Sequence, residues 1–236
     1  MRVAVLVLML AGCFLLGGPA RAYDPYDPAN CNGAGWSDQH PMVVARVTAR
    51  PRVQLVKSPY DDDFKAEGCP AATAACRRQA YLVTGDLVLV GERRGDFTCA
   101  DHASPLGKGQ RWTVGWLPTA ALTPVEPMPA PEARDWIGTW LPHARIKISD
   151  AGAGRLRIEA LKVIPTSGGD TQNGTFSAQV ASGPTTLTFA DSGSYGDGCQ
   201  VRMQRIERWL LVEDNGGCGG AGVSFLGLYR RERSGR

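Results

Sequence analysis

From Arg145 onward the sequence alternates. Arg145-Ile146-Lys147-Ile148-Ser149 and Arg155-Leu156-Arg157-Ile158-Glu159-Ala160 put an apolar side chain at every second position. Successive side chains of a strand point to opposite faces, so such a segment buries one face and wets the other. Further short segments follow at 175–180, 185–189, 200–206, 209–212 and 223–229. Turn-forming residues separate them: Gly152-Ala153-Gly154, Gly168-Gly169-Asp170, Asn173-Gly174, Ser182-Gly183-Pro184 and Asp214-Asn215-Gly216. Short strands at near-regular spacing predict an antiparallel meander, closed or nearly closed.

The first half also reads as strands. Residues 43–56 are rich in β-branched side chains, interrupted by Pro51. Tyr81-Leu82-Val83 runs through Gly85-Asp86 into Leu87-Val88-Leu89-Val90. Glycine tolerates φ > 0 and Asp bonds its own backbone, so Gly85-Asp86 is a turn. Short strands follow at 97–99 and 113–117, and Thr119-Ala120-Ala121-Leu122 suits one tight helical turn. Residues 61–78 form a polar, Ala-rich loop. Between the halves, Pro124, Pro127, Pro129 and Pro131 recur. Proline fixes φ and removes a donor, so an extended, stiff linker is expected at 126–134. The expected class is therefore all-β: an N-terminal segment at 23–42, a first unit at 43–125 and a second at 135–233.

The N-terminus has the marks of a secretory leader. Arg2 precedes an apolar run at 3–16, and Ala20-Arg21-Ala22 offers a small-x-small cleavage site before Tyr23. The run is shorter than the roughly 20 apolar residues a spanning helix needs, and no later segment reaches that length. Beyond residue 22 stand Cys31, Cys69, Cys76, Cys99, Cys199 and Cys218. An even number in an exported chain reads as disulfides. Cys199 and Cys218 are the only two past the linker, and the hairpin between them brings them opposite each other. Cys69 and Cys76 share one loop around Pro70, which leaves Cys31 for Cys99, although Cys31 can reach either member of the local pair. The expected location is the periplasm or the cell exterior. Leu10-Ala11-Gly12-Cys13 also resembles the lipobox of bacterial lipoproteins, so the alternative is a lipid anchor on Cys13.

Composition and spacing exclude several functions. The formal charge is +3, and Arg2 and Arg21 leave with the leader, so nucleic acid is not expected as a partner. No Cys-x-x-Cys occurs, and His40, His102 and His143 share no motif, so no metal is expected. Asp61, Asp62 and Asp63 are adjacent and cannot all converge on calcium; they read as a solvated loop. No nucleophile elbow and no spare thiol is present, so neither catalysis nor a cofactor is expected. Gly216 to Gly222 are followed by a strand and not a helix, which argues against a phosphate loop.

The pieces of the first unit come in a familiar order. A Gly85-Asp86 turn lies between two strands, then Gly95-Asp96-Phe97, then Val114-Gly115-Trp116-Leu117-Pro118, then Leu122. In this order they resemble the bacterial SH3-like domain over about 43–125. Phe97 stands where Trp is common, and a long loop at 59–78 replaces a shorter one. The resemblance implies a small barrel that binds a peptide, a cell-wall fragment or an envelope protein. Its groove candidates are Trp116, Tyr81, Tyr60 and Trp112, since aromatic side chains line proline-peptide grooves. Trp116 reads equally as a core residue beside Gly115. The second unit, from Trp136-Ile137-Gly138-Thr139-Trp140 to Phe225-Leu226-Gly227-Leu228-Tyr229, is similar to domains that end small proteobacterial envelope proteins. Gly138-x-Trp140 also looks like the opening of lipocalin-type barrels. Such tails resemble those of lysozyme-inhibitor-like proteins, so the alternative function is inhibition of a wall-degrading enzyme. The loop braced by Cys69 and Cys76 would then enter the enzyme's cleft.

Overall fold

The seven strands of the first sheet are β1 (Val43–Val47), β2 (Arg52–Val56), β3 (Arg77–Val83), β4 (Leu87–Arg94), β5 (Phe97–Ser104), β6 (Arg111–Pro118) and β7 (Leu122–Val125). They come from a computed structural model that describes Asp24 and residues 27–66, 68–104, 111–166, 168–191 and 198–232. The leader at 1–22, Cys13, Tyr23 and Glu67 lie outside the described residues. The strand order is β3-β2-β6-β5-β4-β1-β7, with antiparallel pairing throughout. Val47, Leu55, Leu82, Val88, Ala100 and Leu117 fill the space the sheet encloses. Gly85 takes φ +98°, and the Val83 amide donates to the Asp86 carboxylate at 2.9 Å, which is the turn expected there. Thr119–Ala121 is one turn of 3₁₀ helix, as its sequence suggested.

The acidic triplet does not converge. Asp61 pairs with Arg78 at 2.6 Å and Asp62 with Lys57 at 2.5 Å. Like charges one residue apart are held apart by separate cations.

The second sheet contains β8 (Gly138–Leu141), β9 (Arg145–Gly152), β10 (Arg155–Pro165), β11 (Thr171–Ala181), β12 (Thr186–Asp191), β13 (Cys199–Ile206), β14 (Trp209–Asp214) and β15 (Gly227–Arg231). Each pairs with its neighbour in sequence except β11 with β12, and β15 returns to β8 through Arg230 and Leu141. The result is an up-and-down barrel open along one seam. Across that seam the Ser177 amide donates to Asp191 Oδ2 at 2.9 Å. The alternation at 145–160 is realised: Ile146, Ile148, Leu156 and Ile158 point inward and are at most 2 % exposed. Trp136, Trp140, Phe176, Met203 and Tyr229 complete a filled interior.

Two features of this barrel depart from the sequence reading. Asn173-Gly174 lies within β11 and is not a turn. The residues at 223–226 precede β15 and fold into the barrel as a plug, with Val223 and Phe225 in its core. Both departures have one cause. The Gly-rich segment after β14, tied down by Cys199–Cys218, crosses the end of the barrel and lies on β11. A Cβ on Gly174 would stand 2.9 Å from the Cys218 carbonyl oxygen, and one on Gly219 would stand 2.8 Å from Gly174 Cα. Glycine at these positions permits backbone to meet backbone.

The three disulfides are Cys31–Cys99, Cys69–Cys76 and Cys199–Cys218. Closing the last loop stabilises by about 3 kcal/mol in the chain-entropy model.

The Pro-rich stretch is built into the fold at both ends. Pro124 and Val125 belong to β7 and pair with β1. The Met128 amide donates to the Arg205 carbonyl at 2.7 Å, and Glu132 and Asp135 form a capping box on the turn Ala133–Trp136. The stretch is extended, as its prolines require, but it is fixed against the barrel wall.

The two units share a core of their own. Ala34, Met42, Val44 and Leu89 pack against Ile206 and Leu211. Beside it, Arg202 and Glu213 form an ion pair at 3.2 Å, with 8 % and 1 % of their side chains exposed. The Met42 amide donates to Glu213 Oε1 at 3.1 Å. The Arg202 guanidinium donates to the carbonyls of His40 and Ser37 and lies 4.4 Å from the centre of the Trp36 ring. The N-terminal segment is therefore the strap between the units. No helix among the described residues is long and apolar enough to cross a membrane.

Candidate binding cleft

Trp116 sits on β6 between Gly115 and Leu117 and is fully buried. It packs with Val56 and the cysteines of the first unit, on the outer face of the sheet. What covers it is the chain's own N-terminal segment. The indole donates to the Ala29 carbonyl at 3.2 Å, and Cys31–Cys99 staples the segment alongside. The Tyr60 phenol donates to Asp27 Oδ2 at 2.5 Å and holds the same segment. Trp116 thus presents no face to a ligand, and Tyr60 serves the strap. Tyr81 lies on the edge strand β3, half exposed, with the Arg52 guanidinium 4.7 Å from its ring centre. Only Trp112 of the four aromatic candidates faces an open cavity.

That cavity is a cleft of about 450 Å³ between the two units, within the size range of small-ligand sites. The first unit contributes Leu87, Leu89 and His102 beside Trp112. The second contributes Pro142, His143, Trp209 and Leu228. Trp209 stands at the start of β14, directly after the β13–β14 turn, in which Glu207 takes φ +52°. Arg230 lies 4.3 Å and Arg208 5.6 Å from the centre of its ring. Each guanidinium over an indole face contributes about 0.5–1 kcal/mol at an exposed site and fixes the ring's orientation. At the mouth, Arg46 of β1 and Glu207 of the opposite unit form an ion pair at 2.6 Å. Arg46 also donates to the Gly85 carbonyl at 3.2 Å. The cleft is therefore an apolar, aromatic floor with charged groups around its rim.

Two ionisable groups in its walls are strongly perturbed. Asp101 of β5 is 6 % exposed, and burial pushes its carboxyl up to about 6. Its Oδ2 accepts the Ala34 amide at 3.0 Å, while Oδ1 is buried without a hydrogen-bond partner. Gly33, with φ +89°, lets the strap pass directly over this carboxylate; a Cβ there would come within 2.5 Å of either oxygen. His143 lies between Trp112, at 6.1 Å between ring centres, and Tyr229, at 5.3 Å edge to face. Burial and the nearby Lys162 push it down to about 4, and its Nδ1 has no hydrogen-bond partner.

These shifts have opposite consequences over one pH window. Asp101, raised when folded, favours the native state fully below about pH 4 and loses that contribution as pH rises to about 6. His143, lowered when folded, contributes fully above about pH 6.5 and loses that as pH falls to about 4. In the parent protein the two slopes oppose each other. Urea denaturation of His143→Leu, taken as a difference from the parent, is expected to gain stability toward pH 4. Asp101→Asn is expected to gain stability toward pH 6.5. A difference that does not vary with pH would show that the group titrates in the native protein as it does unfolded.

Nothing in the residue pattern singles out Trp209, His143 or Asp101 as cleft residues. Asp101 lies on β5 of the first sheet, Trp209 at the start of β14, and His143 in the turn between β8 and β9, three places that no local pattern joins. No family model, curated protein or solved structure matches this chain.

Proposed function

We propose that this is a non-catalytic binding protein of the cell envelope that holds a peptide-bearing cell-wall fragment or an envelope peptide in the cleft between its units. The observation that carries this reading is the pairing of Trp112 and Trp209 across an apolar floor of ligand size. Tryptophan and arginine dominate binding energy where they are held rigid and partly desolvated, and Trp209 is held by two arginines. The first unit is proposed as an SH3-like module. Supporting this, β7, β1, β4, β5 and β6 follow one another in the sheet, β2 and β3 form an arm beside them, and a 3₁₀ turn precedes β7. In this protein the surface over Trp116 is taken by the strap, so the ligand is placed at the junction with the barrel. Three disulfides are compatible with a periplasmic or extracellular place.

Inhibition of a wall-degrading enzyme by the Cys69–Cys76 loop finds less support. The exposed residues between the two cysteines are Ala72, Thr73, Ala74 and Ala75. None is an aromatic or arginine anchor of the kind that secures a protein partner.

Tryptophan fluorescence titration of the mature protein with purified soluble cell-wall fragments tests the proposal. Trp209→Ala and Trp112→Ala are each expected to weaken binding by about 30-fold, the size of an interface hot spot. Tyr81→Ala is expected to leave it unchanged. Equal binding by the Trp209 variant and the parent sinks the cleft assignment, and hydrolysis of the fragments during the titration sinks the non-catalytic one.

A further inference from the structure

Behind Trp112 lies a second cavity of about 320 Å³, which Asp101 and Trp112 line together with the first. Its opposite wall comes from the barrel: Lys162 of β10, with Ser224 and Leu226 of the plug. The Lys162 ammonium donates to the Ser224 carbonyl. Among the described residues neither Lys162 nor Asp101 has an ion-pair partner. The nearest anionic influence on Lys162 is Asp214, whose carboxylate is already taken up by the amides of Gly216 and Phe225 and the Ser224 hydroxyl. Asp101 has one oxygen bonded to Ala34 and the other buried and unbonded.

A buried charge without a partner is costly, and a buried polar atom without a hydrogen bond costs free energy as well. Here an unpaired anion and an unpaired cation face one cavity from different units. Trp112 and Leu226 form apolar wall between them. A ligand bearing both charges would pair each, whereas a simple cation or anion would leave one uncompensated.

From this arrangement we infer that the inner cavity binds a small zwitterion, a free amino acid or a short peptide with free termini, its ammonium on Asp101 and its carboxylate on Lys162. An apolar side chain then lies against Trp112 and Leu226. This rests on the cleft being the binding site, and it adds the chemical class of the group that enters deepest.

Calorimetric titration of the mature, full-length protein with L-leucine and with the dipeptide Leu-Leu tests the inference, alongside Leu-Leu acetylated at its N-terminus or amidated at its C-terminus. At least one free zwitterion is expected to bind, and either blocking group is expected to weaken it by about tenfold or more, the effect of losing one charge-assisted hydrogen bond. Asp101→Asn is expected to abolish the discrimination against the acetylated peptide alone, and Lys162→Gln that against the amidated peptide alone. Because Asp101 also bonds the strap, circular dichroism checks its fold, and Lys162→Gln supplies the same information from the other wall. Blocked and free peptides binding equally would overturn the inference, as would no binding by any zwitterion. If cell-wall fragments still bind through Trp209 in that case, the cleft assignment stands and only the zwitterion is wrong. If the Trp209 variant binds those fragments as the parent does, the cleft assignment itself has failed.

Discussion

Replacing Arg202 by alanine is expected to destabilise the protein by about 3–5 kcal/mol, the cost of leaving a buried charge without its partner. Glu213 is almost wholly inaccessible, and burial already raises its pKa against the pull of Arg202. Removing the guanidinium leaves that carboxylate with the Met42 amide alone, and it also releases the carbonyls of Ser37 and His40 and the face of Trp36. The strap would lose its hold on the barrel. Urea denaturation followed by both circular dichroism and tryptophan fluorescence reads this twice. The parent, with one core shared between its units, is expected to unfold in a single transition by both signals. The variant is expected to shift to lower urea and to give two transitions. The double replacement Arg202→Met with Glu213→Leu is expected to be less damaging than either single change, since a buried ion pair replaced by apolar side chains is often neutral. If the single variant stays within about 1 kcal/mol of the parent, the pair is dispensable to the union of the two units.

Trp116→Ala is the second large effect, about 3–5 kcal/mol, from the lost transfer free energy and the cavity left behind. The site cannot easily collapse. Two disulfides, Cys31–Cys99 and Cys69–Cys76, pack around the indole and hold the surrounding backbone in place. The indole N–H also closes an otherwise buried carbonyl at Ala29. Trp116→Phe keeps most of the volume and loses the hydrogen bond, so it is expected to cost about 1–2 kcal/mol, and the comparison divides packing from hydrogen bonding. Chemical denaturation under non-reducing conditions measures both. Were Trp116→Ala to keep its stability and lose binding of cell-wall fragments, the residue would be a ligand platform after all.

The legible parts of the fold are those governed by local patterns. The alternation at 145–160 marks β9 and β10 because one face of each is wet. Cys199 and Cys218 could be paired because the prolines divide the cysteines four and two, and because the strands between these two fold back on each other, whereas Cys31 could reach either member of the Cys69–Cys76 loop and the structure decides for Cys99. The junction between the units was hidden for the same reason the strands were visible. Along β13, Arg202 and Gln204 occupy outward positions that read as solvent-facing, yet both are buried, Arg202 under the strap. Polar side chains at an interface leave no trace in an alternation pattern. Trp112 and Trp116 pose the matching problem. They share a strand, and composition cannot tell them apart; the distinction comes from the strap, which covers one and passes beside the other. Sequence could name the aromatic residues, but not which of them the rest of the chain would leave uncovered.

The strap also sets an order of assembly. The Met42 amide reaches a carboxylate 171 residues further along the chain. Proteins are made N-terminus first, so the first sheet can be complete before Glu213 exists. Through that interval Val44 and Leu89, whose cover comes from Ile206 and Leu211, stay bare. Contacts between distant parts of a chain form slowly, and an exposed apolar face invites the wrong neighbour meanwhile. A chain cut short before Cys199 would never leave that condition. The last strands of this protein thus act on its first ones as a built-in chaperone, arriving late and staying as part of the structure.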